Sequence, residues 1–184
     1  MQRQLIQCGF LLASLTLMLT ACWNEPNFSD VPAISYKAID KITLPASEDR
    51  RTPRRDSVII TIGFQDGTGD LGEDVGKADS TRLRTVFAKE TWGNYRITAY
   101  RLNNTTSTYE ELPLAVNAKL FFPRLTKEGQ RGPIEGTLDF RQNFTYSNSS
   151  VITPVKFTIK IRDRKLQEST IIETDTVHVP LLLR

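Results

Sequence analysis

The residues in this sequence best suited to chemistry are acids. Asp66, Asp70, Glu73 and Asp74 fall within the run Gln65-Asp66-Gly67-Thr68-Gly69-Asp70-Leu71-Gly72-Glu73-Asp74, with three glycines among them. Glycine lets a backbone turn tightly, so several oxygens can be aimed at one centre. Calcium takes about six to eight such oxygens from carboxylates and carbonyls on flexible loops. The run is not an EF-hand. Counting Asp66 as the first position, the sixth is Leu71 and the twelfth Lys77, where that motif needs glycine and a bidentate glutamate. Asp and Gly are also ordinary turn formers. The run therefore has two readings, a cation loop or a plain turn, and geometry separates them.

Other chemistry is sparse. The one histidine, His178, has no partner assignable from spacing, and a strand histidine with satisfied hydrogen bonds accounts for it. Glu110 and Glu111 are adjacent, so on a strand they face opposite ways and make a poor catalytic dyad. No nucleophile elbow, zinc helix motif or phosphate loop occurs. The sequence thus points away from an enzyme. Trp92, Tyr95, Tyr100 and Tyr109 could form a stacking surface for a glycan or protein partner, or could be core and edge residues. Arg50, Arg51, Arg54 and Arg55 form the densest basic run, either a solvated linker or a contact for lipid headgroups or an anionic glycan.

The elements that must position these residues read as strands. Val58, Ile60, Ile62 and Phe64 alternate with Ile59, Thr61 and Gly63, and Val155, Phe157, Ile159 and Ile161 alternate with Lys156, Thr158, Lys160 and Arg162. Period two with one wet face marks a half-buried antiparallel strand. Weaker alternation covers 36–44, 95–102, 116–122, 134–140 and 171–179, with no convincing helix. About seven strands between turn-rich loops imply an all-β, immunoglobulin- or fibronectin-like antiparallel sandwich over residues 35–184. In such an alternation the second and sixth strands run the same way. The loops after them share one end, which brings Asp163 toward the Asp66–Asp74 acids.

The start of the chain gives its address. Arg3 precedes an uncharged stretch, Gly9 to Ala21, which ends Leu19-Thr20-Ala21-Cys22. That stretch is too short for a bilayer-spanning helix, which needs about 20 apolar residues, and has the three-part form of an export signal. Leu19-Thr20-Ala21-Cys22 resembles the lipobox of bacterial lipoproteins. The resemblance implies that residues 1–21 are a signal peptide and that Cys22, cleaved and acylated, anchors the chain. Residues 22–34, with Pro26 and Pro32, read as an extended tether. The acids Glu25 and Asp30 loosely resemble signals that route Bacteroidota lipoproteins across the outer membrane, so either face of that membrane is open. Losing the signal removes Arg3 and no acid, so the formal charge falls from +3 to +2. With export, that weak balance argues against a nucleic-acid partner. Cys8 leaves with the signal and Cys22 is acylated, so no thiol remains for a disulfide, a nucleophile or a zinc site.

Taken together, the lipobox, Phe64 to Gly72, Pro133-Ile134-Glu135-Gly136-Thr137 and Phe157 to Arg164 resemble a group of Bacteroidota lipoproteins whose loop reads Asp-Gly-Asp-Gly-Asp. This chain carries Thr68 at the middle acid, one carboxylate fewer for a metal. The resemblance implies an envelope address and a sandwich fold, and supplies no activity. Asp56-Ser57-Val58, Asp79-Ser80-Thr81 and Asp175-Thr176-Val177 resemble Bacteroidota O-glycosylation sites, a reading that requires exposure. The functional expectation is a non-enzymatic, lipid-anchored outer-membrane protein presenting a sandwich to an envelope protein or glycan, with calcium at the acidic loop. The alternative is a glycan-processing enzyme or a carbohydrate-binding accessory lipoprotein.

Overall fold

The computed structural model describes residues 26–49, 51–76, 80–114 and 119–182. In chain order the elements are β1 (Ala33–Leu44), β2 (Arg55–Asp66), a short helix α1 (Ser80–Val86), β3 (Tyr95–Asn103), β4 (Thr108–Leu112), β5 (Ile134–Thr145), β6 (Val151–Ile161), β7 (Ile172–Glu173) and β8 (Val177–Leu181). They build two antiparallel sheets. One has the order β1-β2-β5; in the other β4-β3-β6 continues into β7 and β8, which both pair with β6. The fold is the all-β sandwich that the alternation implies.

The two strongest alternations become the two central strands. β-branched residues favour the pleated chain, and Val58, Ile60 and Ile62 of β2 are fully buried, as are Val155, Phe157, Ile159 and Ile161 of β6. Phe140 and Phe144 of β5 and Val179 and Leu181 of β8 complete the core between the sheets. Each such side chain contributes about 1.5–3 kcal/mol by leaving water. A register slip by one residue would turn either row outward.

Several boundaries differ from expectation. The stretch expected as one strand over 171–179 is two short ones. Between them the Phe157 N–H donates to the Thr174 hydroxyl (3.0 Å) while the Thr174 N–H donates to the Phe157 carbonyl (2.9 Å). A side chain replaces a backbone acceptor there, and the ladder breaks. Counted as one interrupted strand, β7 and β8 make the total seven, but the set differs from the expected one: β4 was not among the expected strands. The strand expected over 116–122 is not formed by its described part. Residues 115–118 lie outside the described residues, and Leu120 makes only an isolated bridge to Tyr95. The Asn94 amide takes the strand's place, donating to the Phe122 carbonyl and accepting the Phe122 N–H, each at 2.8 Å. β1 begins at Ala33 with Pro32 buried ahead of it, so the end of the expected tether already belongs to the domain. Helix α1, not expected, contains Leu83 and Arg84, both good helix formers.

Just past β6, Arg162 is 2 % exposed. Its guanidinium donates to the carbonyls of Gly93 (2.7 Å) and Trp92, pairs with Glu90 (2.7 Å) and lies over the rings of Trp92 (4.2 Å) and Phe87 (4.9 Å). A buried charge is tolerable only when its donors are filled in this way. Replacing it as Arg162→Met leaves buried carbonyls and Glu90 without their donor. Urea denaturation is expected to show a loss of about 3–5 kcal/mol. Lys160→Met, which loses only a surface pair with Glu168, costs under about 1 kcal/mol.

Candidate functional site

The acidic loop leaves β2 at Asp66 and is folded back on itself by its own polar groups. The Asp70 N–H donates to Asp66 Oδ2 (2.9 Å), and the Thr68 hydroxyl donates to Asp70 Oδ1 (2.5 Å). Gly69 (φ 69°) and Gly72 (φ 87°) take the left-handed backbone that side chains disfavour. They also let the loop press against a second segment: a Cβ on Gly72 would lie 2.1 Å from the Pro123 carbonyl oxygen.

The other half of the site comes from the turn after β6. Asp163 Oδ1 accepts the N–H groups of Lys165 and Gln167, both at 2.8 Å, and the Gln167 amide reaches Oδ2 (2.9 Å) and the Asp30 carbonyl (3.2 Å). Two backbone contacts join this turn to the acidic loop: an antiparallel bridge between Leu71 and Asp163, and the Arg164 N–H donating to the Asp70 carbonyl (3.2 Å). As a result one carboxylate oxygen from each of Asp66, Asp70 and Asp163 lies within 4.8 Å of the others. The expected approach of Asp163 to the acidic loop is present.

Glu73 and Asp74 do not join them. Glu73 is fully buried but turned to Arg82 of α1 (3.2 Å), and Asp74 pairs with Arg124 (2.9 Å) and Arg164 (3.8 Å). Past the left-handed Gly72 the chain heads toward Pro123 and Phe122, where Glu73 exchanges backbone bonds with Phe122 and Arg124. Cations from other elements claim both acids.

Asp66 and Asp163 are 0 % and 1 % exposed. Burial pushes the Asp163 carboxyl up to about 6; the charges of Asp70 and Asp66 add to this, while the N–H donors of Gln167 and Lys165 oppose it. Burial also raises Asp66, with Asp70 adding repulsion against the N–H bonds of Asp70, Gly69 and Thr68. Two carboxylates about 5 Å apart repel by roughly 3 kcal/mol at an effective dielectric near 20. The trio is therefore stable with a proton shared among the acids or with a cation between them. The donors suit a hard cation: three carboxylates, the Thr68 hydroxyl and water.

Comparison with protein-family models, with curated proteins and with solved structures finds no match. The site's geometry has to carry the functional argument.

Of the four aromatics expected at a surface, Trp92 is buried and Tyr95 half-buried. Trp92 is 7 % exposed beneath Arg162, and Tyr95 stacks on Phe140 (4.7 Å between centroids), where burial raises its phenol. Only Tyr100 and Tyr109 lie on the outer face of their sheet. The Tyr109 hydroxyl meets Thr176 (2.9 Å) and its ring carries Lys156 (4.4 Å). Trp92, ahead of β3, and Tyr95, at its start, stand among polar neighbours in sequence, and nothing there marks Arg162 and Phe140 as the groups that cover them. Ser57 is 4 % exposed, which removes it as a glycosylation site; Thr176 is exposed, and Asp79 lies outside the described residues. His178 is exposed, and its carbonyl accepts from Lys41 (2.9 Å). Cys22 also lies outside the described residues. Sequence reasoning missed Thr68 as a contributor, having counted it only as a lost acid, and missed Arg124, which no motif marks.

With divalent cations chelated, stability is expected to fall as pH rises. The folded-state pKa of Asp163 lies above its unfolded value of 3.8. Protonation therefore favours the folded state, an advantage complete below about pH 4 and lost as pH passes about 6. Asp66 acts in the same direction. The loss amounts to roughly 3 kcal/mol, and Asp163→Asn, which keeps an acceptor for the Lys165 and Gln167 N–H groups, flattens it. Thermal melts from pH 4 to 7 on the two proteins measure both.

Proposed function

We propose that this chain is a lipid-anchored protein of the outer membrane whose sandwich is a non-catalytic binding module, braced at one end by calcium held between Asp66, Asp70 and Asp163. The observation that carries the proposal is the convergence of those three carboxylates from two separate loops. Burial of two of them suits an ion that ties loops together better than one that meets a substrate. The lipobox at Cys22 supports the address. Acyl chains hold by about 0.8 kcal/mol per buried methylene, and two or more make a lasting anchor. No helix among the described residues is long and apolar enough to cross a membrane. The partner, an envelope protein or glycan, meets the outer surfaces. Trp92 is buried and Tyr95 half-buried, which leaves Tyr100 and Tyr109 as the aromatics on the outer face that such a partner would meet.

At neutral pH, saturating calcium is expected to raise the melting temperature of the purified protein by roughly 5–10 °C over chelator, through preferential binding to the folded state. The double variant Asp66→Asn, Asp70→Asn loses that response. A parent protein that melts identically with calcium and with chelator would sink the metal brace. For the address, mass spectrometry of the mature amino terminus is expected to find an acylated Cys22, and an unmodified cysteine there overturns it.

A further inference from the structure

Beside the acid trio, on the outer side of the same loop, lies a cleft of about 590 Å³ with the opposite charge. Arg124, Arg131, Arg164 and Lys165 line it against a single acid, Asp70; the rest of the lining is glycine, threonine and glutamine. Asp74 reaches Arg124 and Arg164 from next to the cleft, and even with it counted the cations exceed the acids by two. Two of these cations are held in place, since the side chains of Arg124 and Arg164 are only 17 % and 21 % exposed. Arg124 Nε is buried with no hydrogen-bond partner among the described residues. A buried donor left without an acceptor is unfavourable. Four glycines in the walls leave backbone at the surface, where a compact tetrahedral anion can approach closely. Guanidinium groups match phosphate oxygens in geometry as well as charge.

The cleft also sits where the chain enters the fold. Gly67, in its wall, donates its N–H to the Ser29 carbonyl (2.8 Å). Ser29 follows Cys22 by seven residues, a span of at most about 25 Å. The basic residues Arg51, Arg54 and Arg55 lie at the start of β2, a strand's length of about 40 Å from this end.

We infer that the cleft formed by Arg124, Arg131, Arg164 and Lys165 binds a phosphate group, either that of a lipid headgroup in the bilayer carrying the protein or a free phosphate. Its facing the bilayer rests on acylation at Cys22; its phosphate chemistry does not. Asp70 borders both the cleft and the acid trio. A cation in the trio neutralises the one acid in the cleft wall, so calcium and phosphate favour each other's binding by the same factor.

The test is isothermal titration of the purified acylated protein in nonionic detergent, with inorganic phosphate in one arm and a short-chain phosphatidic acid in the other. Both are expected to bind, several-fold tighter in calcium than in chelator. Tighter binding of the lipid assigns the headgroup, and equal binding assigns the free ion. Arg124→Gln with Arg131→Gln is expected to weaken binding at least tenfold. Arg131→Gln alone, at an exposed position, serves if the double variant misfolds. Arg51→Gln with Arg54→Gln is expected to change nothing. Absence of heat with both ligands, or an equal loss in the distal Arg51 and Arg54 variant, overturns the assignment. Phosphate binding to a chain whose Cys22 proves unmodified leaves the cleft standing and removes only the membrane reading.

Discussion

The structure depends on what happens to two consecutive residues at the end of its central strand. Side chains alternate along extended chain, so Arg162 and Asp163 leave β6 in opposite directions. Arg162 goes into the protein, where its donors fill the carbonyls of Trp92 and Gly93 and its charge meets Glu90. That fixes the segment leading into β3. Asp163 caps the turn that follows and faces Asp66 and Asp70. A cation and an anion side by side in sequence are each buried, and each is paid for by a different loop. Without this pair the sheets could still form from their apolar rows, but the loops at this end would be held by backbone bonds and the Asn94 and Glu73 contacts alone.

What was legible in the sequence follows from range. Alternation is a local signal, and β2 and β6 carry it without interruption, so the two central strands and the core they build were readable directly. The approach of Asp163 to the acidic loop was readable too, because strand direction follows from counting strands. Features decided by distant partners were not. Glu73 and Asp74 stand beside Asp70 in sequence but are drawn off by Arg82 and Arg124, which no spacing rule connects to them. Trp92 and Tyr95 resembled a binding surface because the residues that bury them, Arg162 and Phe140, lie far along the chain. The break between β7 and β8 rests on one threonine hydroxyl competing with a carbonyl for the Phe157 N–H. That competition is resolved only when the strands are side by side.

The ends of the molecule differ in kind. At the entry end lie the acid trio, the cationic cleft and the segment from Phe28 to Asp30, whose carbonyls are used by Gly67 and Gln167. At the far end the buried Asp56 accepts hydrogen bonds from Thr43 (2.7 Å) and Tyr146 (3.1 Å) with Lys41 nearby at 3.6 Å, and Arg54 covers the Tyr146 ring (4.2 Å). Here the polar groups close on one another and the carboxylate has its partners. At the entry end three carboxylates face each other, and beside them four cations line a cleft whose wall holds one acid. The excess charge of each sign at one end is what separates a site from a structural network.

The bulge and the gap in the outer strands bear on how copies of this protein behave when crowded. Two of the sheet margins are β1, whose pairing with β2 shifts register between Tyr36 and Ala38, and the β7 to β8 course, broken at Thr174. An unbroken margin offers a row of amide groups onto which a neighbour can zip. Here each row is cut into pieces of a few residues, and Lys37 sits at one of the cuts. The margin of β5 is different: it pairs with β2 without a break over twelve residues, so its outer edge is where a neighbouring copy finds a long row to extend.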